Sequence, residues 1–463
     1  MEEDLEKIID LLTKSSREEK DLVRKAYQFA EKAHEGQKRN SGEPYLVHPF
    51  ETARSIAELG LDAVSVAAAF LHDILEDTDI GIEVLEKEFG KEVAFIVEGV
   101  TKLGTIKYRG ADRHNESLRK LLFATSKDLR VLIVKLCDRL HNIKTLSFVP
   151  KEKQDRIAKE TLEIYAPIAY RLGIRKLSHE LEDLSFPYVD KEGYNEMASV
   201  FQRSHDEKIE SLEKFRKSVM KELVKAGFAN FRSDYRVKNL YSLYKKYLKY
   251  KKDVGKIADI LAMRLVVEKT EDCYKALGII HGAWKPVPGR MKDYIAFPKL
   301  NGYQSLHTTV FTGDGSIVEI QIRTEEMHKE AEYGIAAHAL YKAGEKNEKQ
   351  VAPWIQAMLP HSINEIKKDF LSERIFVFTP LGDVVDLPAG SSAIDFAYAI
   401  HSDIGNQMSG AKIDGKLCSI GNVLKGNEIV EIIISKNARP KRKWLEWVKT
   451  SLARKQIRNF IKG

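Results

Sequence analysis

Two adjacent residues in the first third of the chain, His72 and Asp73, have the types expected of a metal site. They open the segment HDILEDTD (72–79), in which Glu76 and Asp77 follow four residues later. On a continuous helix, residues four apart share a face, so His72 would lie beside Glu76 and Asp73 beside Asp77. Burying such groups unpaired is costly, and a divalent cation would compensate them. Imidazole and carboxylate ligands suit Mn²⁺, Fe²⁺ or Zn²⁺.

Further ligands for this predicted metal site lie elsewhere in the sequence. We expect His48 and Asp138, the latter in the helical segment KLCDRLHN (135–142), to join the pair. Asn142 lies one turn after Asp138 and Thr145 nearly two turns after it, so both are predicted to face the same pocket. An isolated His-Asp pair is more often a charge pair on an exposed face. Here the pair lies in an apolar segment with suitable partners on other helices, which favours the metal site.

A second set of polar residues lies in the middle of the chain. Asp259 and Glu319 each occupy a strand-like segment, IADILAMR (257–264) and IVEIQIR (317–323). A pair of strand carboxylates can hold Mg²⁺ against substrate phosphates, although either acid alone could be a surface residue. Between them, GRMKDYIAFPKLNGYQSLHTTV (289–310) has the composition of a phosphate-binding loop with an aromatic platform for a base. Its candidate residues are Arg290, Lys292, Lys299, Tyr303 and His307.

The elements that must position these residues differ along the chain. Up to about residue 186, and again over 194–226, apolar residues recur at the three- and four-residue spacing of amphipathic helices. One such segment is continuous over 62–77. After about residue 235, short β-rich runs alternate with helical stretches, which predicts an α+β region. The tyrosines of 235–253 recur every third residue among lysines, more typical of an amphipathic helix than of a nucleic-acid surface.

Composition limits the possible functions. The chain has 463 residues, a length that predicts about three domains. Its net charge is +7. Residues 436–463 contain ten Lys/Arg against one acid, so the basic excess belongs to this tail. Three widely separated cysteines indicate neither disulfides nor a CxxC metal site. The acidic start and the short apolar runs argue against secretion and membrane insertion, so we expect a cytoplasmic protein.

The first set of motifs carries a family resemblance. His48, His72-Asp73 and Asp138 match the pattern of HD phosphohydrolases, and GQKRNSGEPYLVHP, AAAFLHDILEDTD and KLCDRLHNIKTL resemble the hydrolase domain of the RelA/SpoT-homologue family of (p)ppGpp enzymes. The resemblance implies that these four residues hold Mn²⁺. It also implies that the carboxylate pair at 76–77 handles the attacking water. The substrate residues that it implies are Arg39, Asn142 and Thr145.

The second set resembles the synthetase domain of the same family. WKPVPGRMKDYIAFPKLNGYQSLHTTV and VEIQIRTEEMHKEAEYGIAAHALYK carry this resemblance, and the RMKD sequence at 290–293 matches the form found in bifunctional members. The resemblance implies transfer of pyrophosphate from ATP to the 3′-hydroxyl of GDP or GTP. It assigns Mg²⁺ to Asp259 and Glu319, and guanine stacking to Tyr303. The phosphate-binding residues that it implies are Arg236, Lys238, Lys292, Lys299 and His307.

The C-terminal segment RIFVFTPLGDVVDLPAGSSAIDFAYAIHS (374–402) resembles a TGS domain. The resemblance implies contact with uncharged tRNA on the ribosome, for which His401 is our candidate. In the tail, basic residues interleaved with Trp444 and Trp447 fit RNA contact, but exposed tryptophans also fit a truncated packing surface. Because the family continues with helical and ACT-type domains, we expect the chain to be a shortened form.

The sequence therefore predicts a multidomain protein. We expect an all-α HD-type hydrolase domain (1–195), linking helices with an α+β nucleotidyltransferase-like synthetase domain (196–345), a linker (346–372), a small α+β, ubiquitin-like TGS domain (373–436) and a basic region (437–463). The preferred function is a bifunctional (p)ppGpp synthetase and hydrolase acting on ATP, GDP or GTP, and (p)ppGpp. Two alternatives stay open: an HD nucleotide phosphohydrolase only, or a tRNA- or ribosome-binding nucleotide sensor.

Overall fold

The computed structural model describes residues 2–101, 121–237, 239–253, 261–299, 302–313, 316–334, 374–426, 428–435 and 437–462. The side chains of 2, 203–208, 236, 237, 261 and 462 lie outside this description. The chain divides into two compact units, 1–107 with 127–351, and 108–126 with 352–463. Among the described helices, none combines the length and apolar character needed to cross a membrane.

The N-terminal part of the first unit is helical, as its periodicity predicts. Ser16 begins the second helix with a capping box, accepting from Glu19 N while its own N–H donates to the Glu19 carboxylate. The fourth helix is the most apolar and packs against the second, third and sixth. The helices are α1 (Glu2–Leu11), α2 (Arg17–Ala33), α3 (Val47–Glu58), α4 (Ala63–Leu71), α5 (Ile74–Asp77), α6 (Ile82–Val100), α7 (Arg130–Lys144), α8 (Lys151–Glu160), α9 (Ala166–Arg171) and α10 (Arg175–Val189). A 3₁₀ turn (Leu146–Phe148) and a π-helical turn (Thr161–Tyr165) join α7, α8 and α9.

The continuous helix that the sequence predicts over 62–77 is wrong. Helix α4 ends at Leu71, His72 and Asp73 form a turn, and α5 begins at Ile74. Successive residues of a helix point about 100° apart, since a turn takes 3.6 residues. The turn instead brings the two side chains together, with His72 Nε2 3.2 Å from Asp73 Oδ1.

A five-stranded sheet forms the second half of this unit, in the order β1-β2-β5-β4-β3. Strands β2 and β5 are parallel and the other pairs are antiparallel. One face belongs to a core with the long helix α11 and with α13. The strands are β1 (Phe231–Val237), β2 (Leu261–Val267), β3 (Lys292–Asp293), β4 (Leu306–Phe311) and β5 (Ile317–Thr324). The helices are α11 (Lys191–Lys225), α12 (Leu240–Lys249), α13 (Thr270–Ala283) and α14 (Glu325–Tyr333).

Helix α10 connects the N-terminal helices to the sheet region. Asp183 Oδ1 accepts from Tyr241 N at 3.0 Å, so a carboxylate of α10 caps the start of α12. Beside it, Phe186 packs against Tyr241 and Tyr244 with centroids 5.2 and 4.7 Å away. Tyr241, Tyr244 and Tyr247 pack in or against the core, in keeping with an amphipathic helix, whereas Tyr235 and Tyr250 are exposed.

The described residues 374–462 of the second unit form one core. They contain a β6–β7 hairpin, the three-stranded sheet β10-β8-β9 and four helices. Trp444 of the tail is 4% exposed and packs in this core, so it is not one of the exposed tryptophans that the alternative of a truncated packing surface requires. Asp395, also buried, accepts from the backbone N–H of Lys449 and Thr450, which attaches the tail. The elements are β6 (Arg374–Phe378), β7 (Val384–Pro388), α15 (Ala393–Ile400), α16 (Ser402–Asn406), β8 (Met408–Ile413), β9 (Lys416–Cys418), β10 (Val430–Ile434), α17 (Trp444–Trp447) and α18 (Ser451–Lys462).

Candidate functional site

Four side chains from separate elements converge in the N-terminal helices. His48 comes from the first turn of α3, His72 and Asp73 from the turn before α5, and Asp138 from the middle of α7. The two imidazole Nε2 atoms are 3.2 Å apart. His48 Nε2 lies 3.2 Å from Asp138 Oδ1 and 3.4 Å from Asp73 Oδ2. The structure thus brings the four predicted residues together, at a helix break that the sequence did not predict.

The geometry of this cluster fits a divalent cation. One ligand atom from each of His48, His72 and Asp138 lies within 4.8 Å of the others, and all three residues are buried. Two ligand atoms about 2.1 Å from a metal and about 90° apart lie about 3 Å from each other. His72 Nδ1 is 2.8 Å from the carbonyl oxygen of Ala69, so it carries the ring proton and leaves Nε2 as a lone-pair donor. The residues present therefore suit a metal held by two nitrogens and two carboxylates.

A buried lysine partly balances the charge of this site. Lys135 Nζ lies 2.8 Å from Asp138 Oδ2 on the same helix. Burial acts to raise the pKa of Asp138, but Lys135 and the neighbouring imidazoles hold it well below its usual value. Burial likewise opposes ionisation of Asp73, yet His72 and His48 keep its pKa low. Both carboxylates are therefore ionised at neutral pH and available as ligands.

One tyrosine joins the metal site to the carboxylates that follow it. Tyr45 Oη lies 2.8 Å from Asp73 Oδ2 and 2.6 Å from Asp77 Oδ2. Glu76 and Asp77 are exposed and line an open cleft of 560 Å³. Burial and the two carboxylates raise the pKa of Tyr45, so its hydroxyl stays protonated and can donate to them. The arrangement places two carboxylates beside the cluster and open to water.

The predicted substrate residues lie next to the same cluster. Arg39 Nη1 donates to His141 Nδ1 and its Nη2 donates to Asn142 Oδ1, both at 2.9 Å. Thr145 lies one turn further and donates its hydroxyl to the carbonyl of His141. The sequence motifs did not identify His141, Tyr45 or Lys135 as functional residues. All three lie inside the quoted motif segments. Lys135 pairs with Asp138 within α7, whereas Tyr45 reaches Asp73 and Asp77, and His141 reaches His48 of α3.

The second candidate site lies on the face of the sheet opposite the core. Val318, Ile320 and Ile322 of β5 point into the core, so the alternating Glu319 and Gln321 lie on the other face. Gln321 Nε2 donates to Glu319 Oε1 at 2.9 Å. From β4, His307 Nδ1 lies 3.4 Å from the same carboxylate oxygen. Strands β4 and β5 thus bring together His307 and Glu319, which are two of the predicted synthetase residues.

Tyr303 extends this group but its ring is covered. Tyr303 is only 2% exposed, and its hydroxyl lies 2.7 Å from His307 Nε2. The central guanidinium carbon of Arg175, at the start of α10, lies 3.9 Å from the ring centroid. Lys299 Nζ lies 5.4 Å from the same centroid and 4.5 Å from that of Tyr294. Sequence reasoning could not find Arg175, which is 128 positions away from Tyr303 in the chain (303 − 175).

The remaining predicted synthetase residues are described only in part. Lys292 of β3 is exposed and pairs in register with His307. Asp259 and Lys238 lie outside the described residues, as does the side chain of Arg236. The backbone of Arg236 is opposite Ala262, which is in turn opposite Glu319. This register places Arg236 on the same row of the sheet as Glu319.

The tRNA-contact candidate lies in the second unit. His401 follows α15, its side chain is 65% exposed, and its Nδ1 accepts from Asp403 N at the start of α16. One ring nitrogen of His401 therefore caps the start of α16.

Three family models match the chain in succession. They are described as HD domain (26–175), region found in RelA / SpoT proteins (235–346) and TGS domain (375–434).

Among curated relatives, guanosine-3′,5′-bis(diphosphate) 3′-pyrophosphohydrolase of Aquifex aeolicus is 44% identical over 473 residues, covering 100% of this chain and 67% of the relative. GTP pyrophosphokinase of Myxococcus xanthus is 44% identical, with coverages of 96% and 60%. Bifunctional (p)ppGpp synthase/hydrolase SpoT of Escherichia coli is 42% identical, with coverages of 95% and 65%. The chain thus spans about two thirds or less of the length of these relatives.

Proposed function

The chain belongs to the RelA/SpoT family, and we propose that it both makes and removes (p)ppGpp. In one reaction, pyrophosphate passes from ATP to the 3′-hydroxyl of GDP or GTP. In the other, the 3′-pyrophosphate of (p)ppGpp is hydrolysed. The observation that carries the proposal is the presence, in one compact unit, of two separate clusters of functional side chains that share no residue.

For hydrolysis, His48, His72, Asp73 and Asp138 are the residues that would hold Mn²⁺. When bound, the ion supplies a Lewis acid that lowers the pKa of water and neutralises pyrophosphate charge. The carboxylates of Glu76 and Asp77 then accept and return the protons of the attacking water, since both are exposed in the cleft.

The substrate is held by a different set of residues around the same cluster. Arg39 would pair with a phosphate of the substrate, and Asn142 and Thr145 would add an amide and a hydroxyl. The cleft itself is lined by the carboxylates of Glu76, Asp77 and Asp79. A polyanionic substrate would be repelled there without a cation, which is why we expect hydrolysis to require the metal.

For synthesis, Glu319 and Asp259 would hold Mg²⁺ against the nucleotide phosphates, with Gln321 orienting the Glu319 carboxylate. Phosphate contacts are assigned to Arg236, Lys238, Lys292, Lys299 and His307. Tyr303 is assigned to guanine stacking, which requires Arg175 to move from its ring. The TGS domain is proposed to contact uncharged tRNA on the ribosome through His401, and the protein to act in the cytoplasm.

Two incubations of the purified chain test this function. With ATP, GDP and Mg²⁺, separation of labelled nucleotides should show ppGpp. With ppGpp and Mn²⁺, it should show GDP and pyrophosphate. Hydrolysis alone would indicate an HD phosphohydrolase, and binding of nucleotides with neither reaction would indicate a sensor.

A further inference from the structure

His141 connects a metal ligand to a substrate cation. It lies on α7, three residues after Asp138, and is 8% exposed. Its Nδ1 atom is 2.9 Å from Arg39 Nη1 and 2.7 Å from His48 Nδ1. Both neighbours therefore make their contact with the same ring nitrogen of His141.

The chemistry of arginine decides where the protons of this chain lie. A guanidinium only donates, so His141 Nδ1 must accept and carries no proton. His48 Nδ1 must then carry a proton and donate it to His141, since two bare nitrogens would repel at 2.7 Å. His48 consequently presents a bare lone pair at Nε2, the atom that faces His72, Asp73 and Asp138.

Arg39 acts on a second ligand in the same way. Because Asn142 Oδ1 accepts from Arg39 Nη2 at 2.9 Å, the amide nitrogen Nδ2 is turned toward Asp138 and donates to its Oδ1. Thus one arginine fixes hydrogen-bond directions at two of the four candidate ligands. No sequence motif assigned this role to it.

We propose that His141 is a positioning residue that holds His48 in its metal-binding tautomer, and that Arg39 acts on the metal centre through it. The inference rests on the proposed hydrolase function. Outer partners of ligating histidines fix ring tautomer and orientation, and losing one costs about 10- to 100-fold in metal affinity or activity. By linkage, a phosphate that changes how Arg39 contacts His141 must change metal affinity, and metal must change phosphate affinity by the same factor.

The test measures Mn²⁺ binding by the metal-stripped full chain without nucleotide, using the free-Mn²⁺ electron paramagnetic resonance signal. His141→Leu removes the acceptor and should weaken binding by about 10- to 100-fold. His141→Asn places an amide oxygen near the position of Nδ1 and should recover most of that loss. Arg39→Met should also weaken Mn²⁺ binding, but by a smaller factor. Without the guanidinium, His141 can adopt either tautomer, and the one with a bare Nδ1 still accepts from His48.

His281→Leu is the matched control. It also removes one side-chain contact of a histidine, the one to Thr308, but it does so in the sheet region, away from the helical cluster. Circular dichroism and retained pyrophosphate transfer establish that each variant is folded. Wild-type Mn²⁺ affinity in His141→Leu, or an Asn variant no better than the Leu variant, would overturn the inference alone. Unchanged affinity in Arg39→Met would overturn the assigned role of Arg39. A wild-type chain that does not bind Mn²⁺ would overturn the proposed metal centre and the inference with it.

Discussion

The guanidinium of Arg175 covers the ring of Tyr303, with its central carbon 3.9 Å from the ring centroid. Arg175 begins α10, and Asp183 of the same helix caps α12, just after Arg236 and Lys238. One helix therefore contacts both the proposed guanine platform and the helix that follows two of the proposed phosphate-binding residues. A shift of this helix would therefore alter both contacts.

Removing this cover should strengthen guanine-nucleotide binding. A cation–π contact is worth about 0.5–2 kcal/mol, so Arg175→Gln should raise GDP affinity by about 2- to 30-fold. Calorimetric titration with GDP measures the change, and Lys176→Gln, an exposed neighbour, is the control. Weaker GDP binding by Arg175→Gln would show that the arginine supports the base instead of covering its platform.

The Tyr303 ring, more than its hydroxyl, should carry guanine binding. Loss of a base–aromatic stack costs ~1–3 kcal/mol, so Tyr303→Ala should weaken GDP binding by about ten- to a hundred-fold. Tyr303→Phe keeps the ring while losing the hydroxyl contact with His307, and should bind GDP much more tightly than the Ala variant. Equal affinities of the wild type and the Ala variant in the same titration would show that the ring serves packing alone.

Lys135 should stabilise the metal-free protein more than the metal-bound one. Lys135→Met leaves Asp138 buried without its lysine, and breaking a buried ion pair costs about 3–5 kcal/mol. Mn²⁺ restores a positive partner, so adding it should raise the melting temperature of the variant more than that of the wild type. Lys144→Met removes an exposed ion pair on the same helix and should have little effect. A metal-free Lys135→Met protein as stable as the wild type would contradict the assigned charge balance.

His328 should make the protein less stable in mild acid. Burial, with Arg323 and Arg264 nearby, lowers the pKa of His328 to about 4. The unfolded chain, with a histidine pKa of about 6.5, therefore binds more protons between these values, and the free energy of unfolding falls as pH falls through this window. His328→Asn should lose less stability between pH 7 and pH 5 than the wild type in urea unfolding. An identical loss would show that His328 is protonated without cost.

Local pattern predicted much of the fold and which candidate side chains lie together in the helical site, but not the contacts that depend on packing between distant segments. The strand alternation of 317–324 placed Glu319 on a sheet, and periodicity placed Asp138 on a helix. The break at His72–Asp73 was missed because apolar periodicity continues through it. Arg175 over Tyr303 and the buried Trp444 were missed because both contacts join segments far apart in sequence.

The central claim is that the two reactions use separate sites, and a pair of variants assayed for both reactions tests it most directly. Asp73→Asn removes a charged candidate ligand from the helical site, so ppGpp hydrolysis with Mn²⁺ should fall to near background while synthesis from ATP and GDP continues. Glu319→Gln, or Asp259→Ala, should abolish synthesis and leave hydrolysis. Thin-layer separation of labelled guanine nucleotides, with circular dichroism as the fold control, gives all the rates. A folded variant that loses both reactions would contradict the account and require one shared site or obligatory coupling.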